Sequence, residues 1–162
     1  MRVLEFNSRL HMDGLRACAI ELQDAEREFE PRMPTGEEIA DAYIPEMFSR
    51  CESSDGRVFV AEIDGEVVGY ATILSRVTSE EISDGGLEYG LIADLVTLSA
   101  YRKQGVAHAL LDAAETFARE RGTKWLRIGA LAANQLALDI YDARGFSKLY
   151  VELEKELGHA GA

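Results

Sequence analysis

Cysteine is nearly missing from this chain: Cys18 and Cys51 stand alone and form no CxxC pair. A disulfide framework is excluded, and two free thiols in a reducing cytosol are expected. Basic residues are also few, 17 against 29 acids, for a net charge of −12. A nucleic-acid partner would need a basic stripe, so that class is excluded. No apolar run is long enough to span a membrane, and Met1–Arg9 lacks the apolar core of a signal peptide. We therefore expect a cytoplasmic protein with no membrane partner. His11, His108 and His159 form no cluster, His108 reads as structural, and no metal site is expected. Repeats, low-complexity segments and linkers are absent too. The chain reads as a single domain, 1–162, long enough to bury a core.

What the chain has in excess is acid, unevenly placed. Residues 21–55 hold eleven acids against three arginines, a net −8. Such a stretch is either the solvated face of two surface helices or an acidic wall that attracts a cationic substrate. Glu21, Asp24 and Glu28 are the candidate substrate contacts on the second reading.

The apolar pattern predicts a short strand at Val3–Phe6 and a helix over 9–29. Thr35-Gly36-Glu37-Glu38 has the cap-and-acid pattern of a helix start, and Pro45 inside that helix predicts a kink or an early end. Arg57–Ile63 and Glu66–Leu74 flank Asp64-Gly65, a strong hairpin signal, and residues 78–90 read as a mobile loop. A strand at 91–98, a helix at 105–121, a strand at Trp125–Leu131, a short helix at Asn134–Arg144 and a last strand at 146–154 follow. An antiparallel hairpin feeding that alternation predicts a mixed sheet with helices on its faces. The crossover through 105–121 makes its two flanking strands parallel.

Arg102-Lys103-Gln104-Gly105-Val106-Ala107 joins an apolar strand to a long amphipathic helix. A helix start has N–H groups without internal partners and a partial positive charge, which together suit an anion. Gly105 admits close backbone approach and Arg102 can add a charged fork, so phosphate is the expected ligand. A plain helix entry is the alternative. Asn134-Gln135-x-Ala137-Leu138-x-Ile140-Tyr141-x-x-x-Gly145-Phe146 follows the second parallel strand. Asn134 is a good helix N-cap in its own right, and Tyr141 lies two helical turns further on the same face.

With both motifs in this order, the chain closely resembles the GNAT superfamily of acetyl-CoA-dependent N-acetyltransferases, most strongly over 57–147. The resemblance implies an α/β fold with a central, mostly antiparallel sheet, one splayed parallel strand pair and helices on both faces. It implies acetyl-CoA as co-substrate, its pyrophosphate on the N–H groups of Arg102, Lys103, Gln104, Gly105, Val106 and Ala107. Its pantetheine arm would run along Leu95, Val96, Thr97 and Leu98 and bond Asn134, with a backbone N–H near Val96 polarising the thioester carbonyl. Tyr141 would be the general acid to the departing thiolate, where a core aromatic beside Phe146 is its other reading. Lys103 stands where many members carry glycine, and Ser99-Ala100 replaces a frequent Pro-acid pair.

An alkylamine with a pKa of about 10.4 is almost wholly ammonium at neutral pH, so something must take its proton. Asp94, a carboxylate in an otherwise apolar strand, is the candidate base, since burial would raise its pKa toward a useful range. A water chain, or an Asp94 that merely faces solvent or caps a loop, are the alternatives. Neither cysteine falls where the cleft is expected, which disfavours an acyl-enzyme. The reading is an N-acetyltransferase acting on a primary amine of a small cationic metabolite or antibiotic, by direct attack in a ternary complex. A protein N-terminal or lysine acetyltransferase and a non-catalytic acyl-CoA sensor are the alternatives, and a homodimer is usual for the family.

Overall fold

Asp64 and Gly65 both take left-handed backbone, φ 52° and 87°, the geometry that lets a two-residue turn match the twist of its flanking strands. In the computed structural model, which describes residues 1–158, that turn joins β2 (Gly56–Ile63) to β3 (Glu66–Thr78). With β1 (Arg2–Glu5), β4 (Glu88–Thr97) and β5 (Leu126–Ile128) they form one sheet, ordered β1-β2-β3-β4-β5. All neighbours are antiparallel except β4 and β5, which are parallel. The expected mixed sheet is therefore present.

Helices cover both faces. α1 (Ser8–Arg27) and α2 (Gly36–Ser53) press Leu15, Cys18, Ile44 and Met47 against Val58, Val60, Tyr70 and Leu74. α3 (Val106–Glu120) buries Val106 and Leu110 against Ala61, Val68 and Ala71 on the other side. Each fully buried aliphatic side chain contributes about 1.5–3 kcal/mol. α2 opens with the full capping box, Thr35 and Glu38 each bonding the other's backbone N–H.

Three expectations are corrected. α2 runs unbroken past Pro45 to Ser53, because Ile44, Met47 and Cys51 are buried and packing offsets the one missing N–H. The loop expected at 78–90 shrinks, since the pairs Val77 with Tyr89 and Thr78 with Glu88 prolong the hairpin. The third correction lies in the second of two compact units, Met1–Leu131 and the segment from Ala132 onward. In the second, α4 (Gln135–Ala143) is formed, but the strand expected at 146–154 is not. Leu149, Tyr150, Val151 and Leu153 there are exposed. Alternating apolar residues select a face for a strand, but the ladder itself needs a partner, and the described residues of this unit contain no strand.

Candidate active site

β4 loses its parallel neighbour halfway along. It pairs with β5 only at Gly90, Leu91 and Ile92, opposite Leu126, Arg127 and Ile128. On its β3 side, Thr72 faces Asp94 and Ile73 faces Ile92, so Ala93 is an extra residue in a β-bulge. A bulge bends its strand and raises the local twist, which gives a physical cause for the parting. From Ala93 to Thr97, only β3 flanks β4 within the sheet among the described residues. The Leu98 N–H bonds the Val68 carbonyl at 2.9 Å. By the alternation of an antiparallel ladder Val96 shares that edge, and Leu95 and Thr97 turn their N–H and C=O groups to the open side. The Arg102 guanidinium lies 3.5 Å from the Thr97 carbonyl, on that side.

A short 3₁₀ turn, Ser99–Tyr101, leads from β4 to α3, and a Glu21 carboxylate oxygen accepts the Ser99 N–H. Lys103 has φ 62° and Gly105 φ 81°. Gly105 is the N-cap of α3 and no side chain caps that helix. Arg102, Lys103, Gln104 and Gly105 are exposed, Ala107 is half-buried, and Val106 anchors the turn in the core. A Cβ placed on Gly105 would meet nothing within 4 Å, so the turn is open where that side chain would stand. These residues fit a phosphate group: free backbone donors, a helix dipole, and two exposed cations beside them.

Asp94 is only 6% exposed, as expected of a buried carboxylate. Its Oδ1 accepts a hydrogen bond from the Tyr43 hydroxyl of α2, while its Oδ2 has no hydrogen-bond partner. The hydroxyls of Thr72, directly opposite, and of Tyr70, two residues along β3, are buried and unpartnered too. Desolvation raises the carboxyl's pKa, against the Tyr43 hydroxyl, the nearby Thr72 hydroxyl, which faces it without full hydrogen-bond geometry, and the charge of Arg50, which lower it. Glu26 of α1 is half-buried, and its pKa is raised first by burial and then by the charge on Asp94. Two carboxylates thus share a partly dry region. Among the described residues, no ion pair reaches either of them.

Asn134 and Tyr141 belong to the second unit. The Asn134 Oδ1 accepts the Ala137 N–H at 3.2 Å, capping α4. The Tyr141 ring meets Phe146 edge-on, centroids 6.1 Å apart, and the Phe146 N–H bonds the Tyr141 carbonyl. Both groups are arranged as their local chemistry predicts.

The acids of 21–55 divide into two kinds. Glu21 holds the turn after β4, Asp24 accepts the Gly36 N–H at 2.7 Å, and Glu37 and Asp41 pair with Arg16. Glu28 is exposed at the end of α1. Most of this stretch therefore caps and pairs helices, and Glu26 alone is drawn toward Asp94. Helical spacing places Glu26 near, and Tyr43 on, the apolar stripes of their helices, yet nothing in the sequence assigns either of them, or Thr72, to the site. Both cysteines are free and buried, with thiol pKa values pushed by burial up to about 12 for Cys18 and about 11 for Cys51. His11 is buried, its Nδ1 accepting the Asn7 N–H at 2.9 Å. His159 lies outside the described residues.

Among the described residues, no helix is long and apolar enough to cross a membrane. Residues 20–146 match the model of the acetyltransferase (GNAT) family. Streptothricin acetyltransferase of Streptomyces lavendulae is 29% identical over 116 residues, which are 67% of this chain and 57% of that protein. The match thus spans little more than half the length of that relative. A structure of a mutant BH1408 protein of Bacillus halodurans superposes with a TM-score of 0.81 at 14% identity, covering 97% of this chain and 99% of that one. The aminoglycoside N-acetyltransferase AAC(6')-Iy in complex with CoA gives a TM-score of 0.67 at 18% identity, covering 96% and 99%.

Proposed function

This chain belongs to the acetyltransferase (GNAT) family, and on that premise we propose that it is an acyltransferase that moves the acetyl group of acetyl-CoA to a primary amine of a small cationic molecule. The family uses acetyl-CoA. The observation that carries the reading is the parting of β4 from β5 after Ile92, with the uncapped start of α3 at the end of the freed strand. The open edge at Leu95 and Thr97 can hydrogen-bond an amide-containing arm as an added strand would. The turn Arg102–Ala107 can hold the pyrophosphate at that arm's other end.

In the proposed reaction the ammonium first gives a proton toward Asp94. Oδ2 of Asp94 is out of contact with solvent, so the proton reaches it through a hydroxyl or an ordered water. The amine lone pair then attacks the thioester carbonyl carbon, forming the N–C bond. The developing oxyanion takes a backbone N–H from the open edge, Leu95 or Thr97. As the C–S bond breaks, Tyr141 protonates the leaving thiolate, a transfer suited to a phenol of pKa about 10 and a thiol of about 8.5; the nitrogen's second proton passes through water to the phenolate, and the proton held by Asp94 leaves to solvent. Asn134 bonds the CoA arm in addition to capping α4. No acyl-enzyme forms, because both thiols are buried and held protonated.

The cationic acceptor follows from Glu26 and Asp94, two carboxylates with raised pKa values and no basic ion-pair partner among the described residues. An ammonium in their vicinity would relieve both. Antibiotics of the streptothricin and aminoglycoside classes carry such groups, as do polyamines. Thiol release from acetyl-CoA against streptothricin, kanamycin, spermidine and lysine-bearing peptides tests the proposal. Turnover confined to the small amines supports it, turnover of peptides alone would favour a protein acetyltransferase, and binding without turnover would favour a sensor.

A further inference from the structure

We propose that Tyr43 is a positioning residue of the acetyl transfer, fixing the Asp94 carboxylate through Oδ1 so that Oδ2 is held ready for the proton. The inference rests on the reading of Asp94 as the proton acceptor. The Tyr43 hydroxyl donates to Oδ1 across 51 positions of sequence, tying α2 to the strand that carries the bulge. A contact made for stability alone would be expected to satisfy its surroundings. Here Oδ2 and the Thr72 hydroxyl, on one rung of the β3–β4 ladder, and the Tyr70 hydroxyl, two rungs along, have no hydrogen-bond partner, with their residues 6%, 1% and 0% exposed. Buried polar atoms without partners are costly, and where they cluster they mark a place arranged for something other than packing.

The groups facing Asp94 are Glu26 from α1, Tyr43, Arg50 and Cys51 from α2, and Tyr70 and Thr72 from β3. The Tyr43 and Thr72 hydroxyls both favour the charged carboxylate, Tyr43 more strongly, and of the two only Tyr43 meets Asp94 in full hydrogen-bond geometry. Burial first, then the charge of Asp94, pushes its own phenol far above the ordinary value. It therefore remains a hydrogen-bond donor at every working pH and takes no proton itself. A donor to a carboxylate favours its charged form, so Tyr43 offsets part of the desolvation that raises Asp94.

The test uses the full chain with Tyr43→Phe, and with 3-fluorotyrosine at position 43 as a variant that keeps the hydroxyl and strengthens its donation. The readouts are the ¹³C titration of the Asp94 carboxyl by NMR and the pH profile of kcat/KM with acetyl-CoA and kanamycin or spermidine, whichever turns over. Tyr43→Phe should move the Asp94 titration and the acid limb of the profile up together by about one to two pH units, as expected for losing a hydrogen bond to a charged group. Fluorotyrosine should move both down. Affinity for CoA should be unchanged in each. If the Asp94 titration does not move in Tyr43→Phe, Tyr43 has no such role, even where Asp94→Asn is inactive. If Asp94→Asn keeps its activity, it is the proton-acceptor reading that fails, whatever Tyr43 does to the titration.

Discussion

Thr72 on β3 stands directly opposite Asp94 on β4, one residue beyond the bulge at Ala93 and where the sheet parts. The pairing places a buried carboxylate at the one point along β4 where its other edge has just become free. A fold optimised for stability would put an apolar residue there, and this one carries an acid with an unpartnered oxygen.

Asp94→Asn should therefore separate stability from activity. An acid whose folded-state pKa lies above its unfolded value binds the proton more tightly when folded. The ionised Asp94 thus weakens the fold as pH climbs from the ordinary 3.8 toward its raised value, and the whole deficit is present above that. Asparagine keeps the acceptor for Tyr43 without the charge. The variant should melt no lower than the parent at pH 8, while kcat/KM falls by about 10²–10⁴-fold. Thermal melts at several pH values, with initial rates, check both halves.

Much of the fold could be read from residues whose signals are local. The Asp64-Gly65 turn, the Thr35–Glu38 capping box and the helix after Gly105 each carry their cause within a few positions. The bulge at Ala93, the Tyr43–Asp94 bond and the inward turn of Glu26 depend on elements far apart in sequence, and no spacing announces them. The strand expected at 146–154 failed for the same reason, because apolar alternation expresses a preference that only a partner strand can satisfy.

Glu26→Gln should raise KM for cationic acceptors by roughly tenfold with little change in kcat, since it removes attraction to the ground-state ammonium. Glu28→Gln, at an exposed position on the same helix, should change neither. Steady-state kinetics with one acceptor at low salt compares the two.

Gly105→Ala should lose about 1 kcal/mol of stability through its left-handed backbone, although its Cβ meets no protein atom. Standing in the open turn, the same methyl should weaken CoA binding by tenfold or more. Lys103→Gly should act oppositely on stability, because Lys103 also sits at positive φ. Calorimetric titration with CoA and melting curves read both effects.

Tyr141→Phe keeps the edge-on contact with Phe146, so its melting temperature should hold, while kcat falls by about 10²-fold. Asn134→Ala removes the cap on Ala137 and should cost about 1 kcal/mol of α4 stability along with CoA affinity. Equal kcat in Tyr141→Phe and the parent would remove the general-acid role.

The central claim is acetyl transfer from acetyl-CoA to an amine, and mass spectrometry of a small-amine panel incubated with acetyl-CoA and the full chain tests it most directly. At least one cationic small amine should be acetylated, with one CoA thiol released per acetyl group transferred. Acetyl-CoA that stays intact with every amine and peptide, while still raising the melting temperature of the protein, would contradict it.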